Sequence, residues 1–292
     1  MSSLKSVWKF SRPHTIIGSV VSIVTLYVMS KGDWQSDHLL LLLKALITGI
    51  TCNLYIVGIN QIVDIDLDKI NKPFLPLASG EMKLPTARII VYSCFTIAAL
   101  LAASISLELF LVVTCSMAIG WAYSCPPFSL RQHHLPAALS ISIVRGLMVN
   151  LGAYRVFNSE MNGTYDLSGD ILVLTLFIVT FSIVIAWFKD LPDVVGDRQF
   201  KIKSIAVLYS PKVAIRAGQL ILSIAYAYSI FYYLSKEHYN LVLGIGHILL
   251  FALFQVNMWK VRKQTEFKGF YKRFWLLFFA EYVLYLLAYS LK

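Results

Sequence analysis

Apolar stretches long enough to cross a membrane alternate with short polar segments along the whole chain. An α-helix needs about 20 apolar residues to span roughly 30 Å of hydrocarbon, so we predict an all-α, polytopic membrane protein with about nine transmembrane helices. No polar segment is long enough for a second domain, so residues 1–292 are predicted to form a single membrane domain. The predicted spans are 14–30, 39–62, 86–103, 107–123, 136–156, 170–189, 211–233, 240–258 and 274–290.

The polar segments after the second and sixth predicted helices are both acidic. Asp64 and Asp190, which lie in these two segments, are 126 residues apart in the sequence. Four helices per half return the chain to the same side of the membrane. We therefore predict two parallel four-helix half-repeats plus a last helix, with both acidic segments on one side.

Composition and charge support a membrane location and exclude a nucleic-acid partner. Hydrophobic residues make up 58% of the chain and charged residues only 14%, and the formal net charge is +10. The Lys and Arg residues lie in short segments between apolar stretches, which indicates membrane topology and anionic partners. Twenty of the 26 fall on one predicted side and four on the other. The N-terminus and both acidic segments are therefore predicted to be cytoplasmic and the C-terminus external, in a bacterial inner membrane or, after trimming, an organelle membrane.

In each of the two acidic segments, the spacing predicts that the carboxylates lie on one face of a helix. In the first, Asn60, Asp64 and Asp68 are spaced i, i+4, i+8, which puts them on one side of a helix, while Asp66 points elsewhere. The second follows i, i+3, i+7 and is formed by Asp190, Asp193 and Asp197.

Carboxylates that share a face repel one another, and near a bilayer each one is costly, so two such clusters indicate a bound cation. Hard oxygen ligands with room for water and phosphate oxygens suit Mg²⁺. Magnesium bridging carboxylates to a diphosphate would neutralise the charge that develops as a C–O bond breaks. Two alternatives remain at this stage: capping residues at ordinary polar helix ends, and the ion site of a cation-coupled transporter.

The two motifs resemble those of the UbiA-type intramembrane prenyltransferases, and the resemblance covers essentially the whole chain. That family carries an N-D/Q-x-x-D-x-x-x-D motif after its second helix and a D-x-x-D-x-x-x-D-type motif after its sixth. Further segments are similar to the homogentisate prenyltransferase branch of the family. These segments are Phe10–Thr15, Tyr55–Gln61, Asn71–Pro73, Ala122–Pro127 and Lys189–Arg198.

The resemblance implies a helical bundle around a central cavity, in which a prenyl diphosphate is ionised and an aromatic acceptor attacks the allylic cation. It implies two Mg²⁺ ions bridged by the diphosphate, one held by Asn60, Asp64 and Asp68 and the other by Asp190, Asp193 and Asp197. The acceptor it favours is homogentisate; para-hydroxybenzoate, a naphthoate, a flavonoid-like phenol or chlorophyllide remain open.

Other polar and aromatic residues are candidates for substrate contact. Tyr123 is a candidate to stabilise the allylic cation through its ring. Arg145, in the middle of an apolar span, should face a cavity or a partner, and we predict that it contacts the acceptor carboxylate or the diphosphate. The remaining candidates for diphosphate or acceptor binding are Arg12, His14, Lys72, Arg131, Asn150, Lys189, Arg198 and Lys201. The aromatic stretch Phe270–Tyr285 is predicted to face lipid.

Overall fold

The computed structural model describes residues 4–30, 36–235, 237–261 and 264–291. These residues form helices joined by short connections, and no strand occurs among them. The helices are α1 (Leu4–Phe10), α2 (Pro13–Met29), α3 (Ser36–Val63), α4 (Ile65–Asn71), α5 (Leu84–Ala103), α6 (Leu107–Ser124), α7 (His134–Ser142), the π-helix π1 (Ile143–Gly152), α8 (Ala153–Asn162), α9 (Gly169–Phe188), α10 (Val194–Gln199), α11 (Ile205–Leu208), α12 (Pro211–Leu234), α13 (Leu241–Trp259) and α14 (Phe267–Ser290).

Eight long helical segments in the described part of the chain are apolar enough to cross a membrane. The pair α1 and α2, bent by 68°, gives a ninth span if it counts as one. The prediction of an all-α bundle with about nine membrane helices is thereby confirmed. The fifth predicted span is a composite, His134–Asn162, in which α7, π1 and α8 follow one another without a break. Five charges used for the predicted orientation lie outside the described residues: Lys31, Lys236, Arg262, Lys263 and Lys292.

Several helix starts follow from local side-chain chemistry. Ser106, Ser168, Ser210 and Asn240 are N-cap residues, and each side chain accepts a hydrogen bond from the backbone N–H three residues on. Such a cap satisfies one of the donors that a helix leaves unpaired at its start, and it contributes about 1 kcal/mol. These polar residues therefore define where α6, α9, α12 and α13 begin.

The larger of two hydrophobic cores lies mainly in the C-terminal half and is rich in aromatic side chains. The prediction that Phe270–Tyr285 faces lipid was wrong for one side of α14. Phe270, Phe274, Phe278 and Tyr282, one turn apart, are at most 1% exposed. This stripe is buried because α14 packs against α2, α9 and α13. The opposite side of α14, with Leu276 and Leu287, is exposed.

The short helices α4 and α10 follow membrane spans in the two halves of the chain and pack against each other. Asn71, at the end of α4, donates a hydrogen bond from Nδ2 to Oδ1 of Asp197 on α10, at 3.2 Å. Glycine at position 196 leaves room for this contact, since a Cβ there would lie 2.2 Å from Oδ1 of Asn71 and would displace that side chain. This contact brings the two acidic segments to one place.

Candidate active site

Both acidic segments open into one cavity of about 700 Å³. The cavity lies among the α1–α2 bend, α3, α4, α6, π1, α9, α10 and α14. Thirteen of the residues singled out in the sequence line it: Arg12, His14, Asn60, Asp64, Asp68, Lys72, Tyr123, Arg131, Arg145, Lys189, Asp190, Asp193 and Asp197. The cavity thus contains five carboxylates, several cations and an apolar wall.

The first acidic segment sits where the long helix α3 ends. Asp64 interrupts the helix, with φ −98° and ψ 15°, and serves as the N-cap of α4. Asn60 donates a hydrogen bond from Nδ2 to Oδ2 of Asp64 at 2.8 Å, and the guanidinium of Arg131 contacts the other carboxylate oxygen. The break keeps Asn60, Asp64 and Asp68 on the cavity side and turns Asp66 outward, where it pairs with Lys69.

Lys72 links the two acidic segments. Its Nζ lies 2.5 Å from Oδ2 of Asp193 and 3.9 Å from Oδ1 of Asp68. Arg12, at the bend between α1 and α2, reaches the same segment, with a guanidinium nitrogen 3.8 Å from Oδ2 of Asp68. Arg12 has φ 49°, an uncommon conformation for a residue with a side chain, which the bend imposes. Cations from three parts of the chain therefore neutralise the carboxylates.

The second acidic segment follows α9. Lys189 pairs with Asp190 at 3.0 Å and donates a hydrogen bond to the hydroxyl of Tyr123 at 2.9 Å. The Lys189 ammonium also lies 5.7 Å from the centre of the Tyr123 ring. The ring of Tyr123 is thus placed beside a cation in the cavity wall, and its role toward an allylic cation stays a prediction.

Burial makes the carboxylates poorly solvated. Removal from water raises the pKa of Asp64 to about 6, although the neighbouring Arg131 opposes the shift. Removal from water, with the nearby Asp190 charge, raises the pKa of Asp197 to about 7, and burial also raises the pKa of Asp68. A group in this state gains most from a bound cation, because the cation stabilises the charged form.

The oxygen donors fit magnesium. No three His, Cys, Asp or Glu side chains among the described residues converge into a ready-made ligand set. Magnesium commonly uses one or two carboxylates and completes its octahedron with water and substrate phosphate oxygens. Two carboxylate segments facing one cavity that also holds phosphate-binding cations match that requirement.

Arg145 is positioned by the π-helix. Its guanidinium carbon lies 4.7 Å from the centre of the Trp275 ring and 5.5 Å from that of Phe278. No carboxylate among the described residues pairs with it. One turn of π1 packs closely on α9, because a Cβ on Gly146 would lie 2.7 Å from the backbone of Val179. Arg145 is therefore a cation held against aromatic rings and open to the cavity.

Three predicted contacts do not reach the cavity. Asn150 is fully buried: its amide donates to the Gly146 carbonyl at 2.8 Å, and its oxygen accepts from the Tyr282 hydroxyl at 2.8 Å. It therefore joins π1 to α14. Arg198 and Lys201 are exposed outside the cavity. On the short helix α10, Asp197 points inward, so the next residue points outward, and Lys201 follows with φ 55° in the connection.

The sequence alone did not single out several lining residues. Lys268, Tyr271 and Trp275 reach the cavity from α14, and Asn53 reaches it from α3. Tyr271 and Trp275 are four residues apart, and this helical spacing of amphipathic aromatic rings is the signal that could have identified them.

A second, mainly apolar cavity of about 130 Å³ adjoins the first. The two share Thr15, Asn53, Ile56, Val144 and Arg145. Small side chains keep the second cavity open; these are Gly18, Ser19, Ser22, Thr48, Gly49, Cys52 and Ser116. The charged cavity thus continues into a narrow apolar slot that suits a hydrocarbon chain.

Comparisons with known proteins agree with this geometry. The model of the UbiA prenyltransferase family matches residues 19–280. The chain is 40% identical to a homogentisate phytyltransferase of Synechocystis sp., over 99% of this chain and 96% of that protein. It is 34% identical to a chloroplastic homogentisate solanesyltransferase of Arabidopsis thaliana, over 95% of this chain and 75% of that protein.

Solved structures share the fold at low sequence identity. A digeranylgeranylglyceryl phosphate synthase superposes with a TM-score of 0.72 at 18% identity, covering 100% of both chains. A UbiA homologue from Archaeoglobus fulgidus, bound to GPP and Mg²⁺, superposes with a TM-score of 0.64 at 15% identity, covering 95% of this chain and 99% of that one.

Proposed function

The chain belongs to the UbiA prenyltransferase family and is an integral, multi-pass membrane prenyltransferase, and on that basis we propose that it transfers a prenyl group from a prenyl diphosphate to homogentisate with the help of Mg²⁺. One observation carries the proposal: two acidic segments from separate halves of the chain face a single cavity beside an apolar slot. The named activities of the relatives support homogentisate as the acceptor.

The charged end of the cavity binds the diphosphate. Asn60, Asp64 and Asp68 would hold one magnesium ion, and Asp190, Asp193 and Asp197 would hold a second. When bound, the ions act as Lewis acids that stabilise the charge on the leaving pyrophosphate. Lys72, Arg131 and Lys189 pair with these carboxylates and donate charge-assisted hydrogen bonds to diphosphate oxygens.

The prenyl chain extends from the diphosphate into the apolar slot. The ring face of Tyr123, at the cavity wall, favours the positive charge of the allylic cation. The surrounding apolar side chains keep water from capturing that cation before the acceptor does.

The aromatic acceptor binds at the end of the cavity formed by π1 and α14. A carboxylate on the acceptor accepts hydrogen bonds from Arg145, a partly buried cavity cation with no carboxylate partner among the described residues. The acceptor ring lies against Tyr271 and Trp275. Homogentisate has both features that this arrangement recognises, since it is an electron-rich phenol with a carboxylate side arm.

Replacing Arg145 by glutamine should weaken binding of acceptors that carry a carboxylate. A hydrogen bond to a charged group contributes about 1.5–3 kcal/mol, so we expect KM for homogentisate to rise roughly 10- to 100-fold. KM for a hydroquinone without a carboxylate should change much less. Steady-state kinetics with both acceptors would measure the difference.

Arg155→Gln is the matched control. Arg155 lies ten residues further on, is paired with Glu108 at 2.8 Å and lines neither cavity. Its KM for homogentisate should stay near that of the unmodified protein. An equal rise in KM for both acceptors in Arg145→Gln would rule out the carboxylate contact.

We also propose that the mouth of the cavity faces the cytoplasm of a bacterial cell, with the protein in the inner membrane and its C-terminus outside. The distribution of Lys and Arg, twenty against four, supports this orientation.

A matrix of donors and acceptors tests the proposed function. Purified protein in liposomes would be given phytyl, geranylgeranyl or solanesyl diphosphate with homogentisate, para-hydroxybenzoate, a naphthoate or chlorophyllide. We expect a lipid-soluble product from homogentisate that requires Mg²⁺ and disappears when a chelator removes the metal. Product from a different acceptor alone would overturn the homogentisate assignment. Cation flux without any prenyl product would favour a transporter.

A further inference from the structure

His14 lines the cavity, and no described residue forms a hydrogen bond with its side chain. It is the second residue of α2, directly after Pro13, and its side chain is exposed and lines the cavity. Its ring centre lies 4.9 Å from that of Trp275, in an edge-on arrangement with an interplanar angle of 71°. No hydrogen bond to another described residue occupies either ring nitrogen.

His14 differs from every other polar group in the cavity. The carboxylates pair with cations and are the proposed metal ligands, and the lysines and arginines are already protonated. Of the six histidines in the chain, only His14 lines the cavity formed by the described residues. A neutral imidazole has one unprotonated ring nitrogen that can accept a proton. His14 is thus the one neutral nitrogen base at this position.

The proposed acceptor site brings a phenol to this base. Arg145 and His14 both contact Trp275, one with its guanidinium and the other with its imidazole. An acceptor whose carboxylate is held by Arg145, and whose ring lies against Trp275, therefore extends a ring hydroxyl toward His14.

We propose that His14 is a catalytic residue that takes the proton of the acceptor's phenol hydroxyl as the ring attacks the allylic cation. This role rests on the proposed function, because it requires a phenol in the cavity. His14 would be the base that makes the phenol ring more nucleophilic by removing the hydroxyl proton.

Proton transfer to His14 accompanies the bond changes at the prenyl diphosphate and the phenol ring. The C–O bond of the prenyl diphosphate breaks, and its electron pair leaves with pyrophosphate. His14 takes the hydroxyl proton, the O–H pair forms a C=O bond, and a ring π pair forms the new C–C bond at the neighbouring carbon. That carbon then loses its hydrogen as a proton to pyrophosphate, the C–H pair restores the aromatic ring, and the imidazolium returns its proton to the oxygen.

Chemical rescue would test the proposal. General-base catalysis contributes roughly 10²- to 10⁴-fold, so His14→Ala and His14→Gln should lose that much prenyl transfer. Added imidazole should restore about tenfold or more in His14→Ala, whose side chain leaves space for it, and little in His14→Gln. The slow release of pyrophosphate by water, measured without acceptor, should continue in both variants, because ionisation does not use this base.

The control is His133→Ala, an exposed histidine that does not line the cavity. Should His14→Ala fail to fold, His14→Gln serves with phenols of increasing acidity. The difference in prenyl-transfer rate between His14→Gln and the unmodified protein should become smaller as the phenol becomes more acidic. A more acidic phenol loses its proton more easily and depends less on a base.

The role of His14 would be overturned by a prenyl-transfer rate for His14→Gln within about threefold of the unmodified rate, by absence of rescue with imidazole in His14→Ala, or by a difference in rate that does not depend on phenol acidity. Loss of pyrophosphate release in the His14 variants would also overturn it, since the residue would then act in ionisation. Unmodified protein that releases pyrophosphate but prenylates no phenol would instead refute the proposed function.

Discussion

Asp68→Asn should lower kcat for prenyl transfer by about 10³-fold or more. Metal ions contribute several kcal/mol to stabilising charge in a transition state, and each 1.36 kcal/mol is a factor of ten in rate. Asp68 faces the cavity, is only 3% exposed, and lies between Arg12 and Lys72. Asparagine keeps the size of the side chain and removes the charge that would bind the metal.

Asp66→Asn is the matched control, two residues away in the same short helix. Its carboxylate is exposed and pairs with Lys69 at 2.7 Å, so prenyl transfer should stay within about twofold of the unmodified rate, as expected for a surface ion pair. Rates measured across a magnesium titration would show whether Asp68→Asn needs more metal. The proposed metal site would be contradicted if both variants lost prenyl-transfer rate to the same extent. It would also be contradicted if Asp68→Asn kept the rate and the magnesium dependence of the unmodified protein.

Lys72→Met should lower kcat/KM for the prenyl diphosphate by roughly 10²- to 10³-fold, the usual cost of removing one group that stabilises developing negative charge. The Lys72 ammonium lies between carboxylates of both segments, 2.5 Å from Asp193. With magnesium held by these carboxylates, the ammonium would be available to bind the diphosphate. Methionine keeps the apolar stem and removes only the charge.

Lys69→Met provides the corresponding comparison. Lys69 lies one turn earlier, on the outer side of α4, and its partner is the exposed Asp66. Its kcat/KM should remain close to that of the unmodified protein. Thermal stability of both variants should be measured alongside. A lower melting temperature with an unchanged kcat/KM in Lys72→Met would show that the residue only joins α4 to α10.

The helices and the two acidic segments could be predicted because each rests on a local rule. A span depends on the number of consecutive apolar residues. Helical spacing predicted one face for Asp190, Asp193 and Asp197, but the first two lie in the turn between α9 and α10, and only Asp197 is on a helix. Such information lies within about twenty consecutive residues of sequence. The structure accordingly has both segments at the ends of membrane helices and on one cavity.

Features that depend on which side of a membrane helix meets protein could not be predicted in the same way. Lipid is as apolar as a protein core, so hydrophobicity does not distinguish the buried side of α14 from the exposed side. The stripe from Phe270 to Tyr282 therefore looked like a lipid surface. Asn150 was misassigned for a related reason: its partner, Tyr282, is 132 residues away.

Loop geometry explains the remaining differences. The second acidic motif continues into Arg198 and Lys201, whose positive charge suggested phosphate binding. Their direction depends on the length of α10 and on the backbone of the connection after it, where Lys201 has φ 55°. Neither quantity can be obtained from charge or spacing.

The hydrogen bond between Asn71 and Asp197 has a consequence for how the protein is made. The two residues are separated by 126 positions, so ribosomes complete the first acidic segment well before the second one exists. Until then, Lys72 can pair with Asp68 but not with Asp193, and the first helices cannot close the cavity. The active site can therefore be complete only late in synthesis, after the residues beyond α9 have emerged and packed against the first helices. A truncated chain that ends before them would be a membrane protein without an active site.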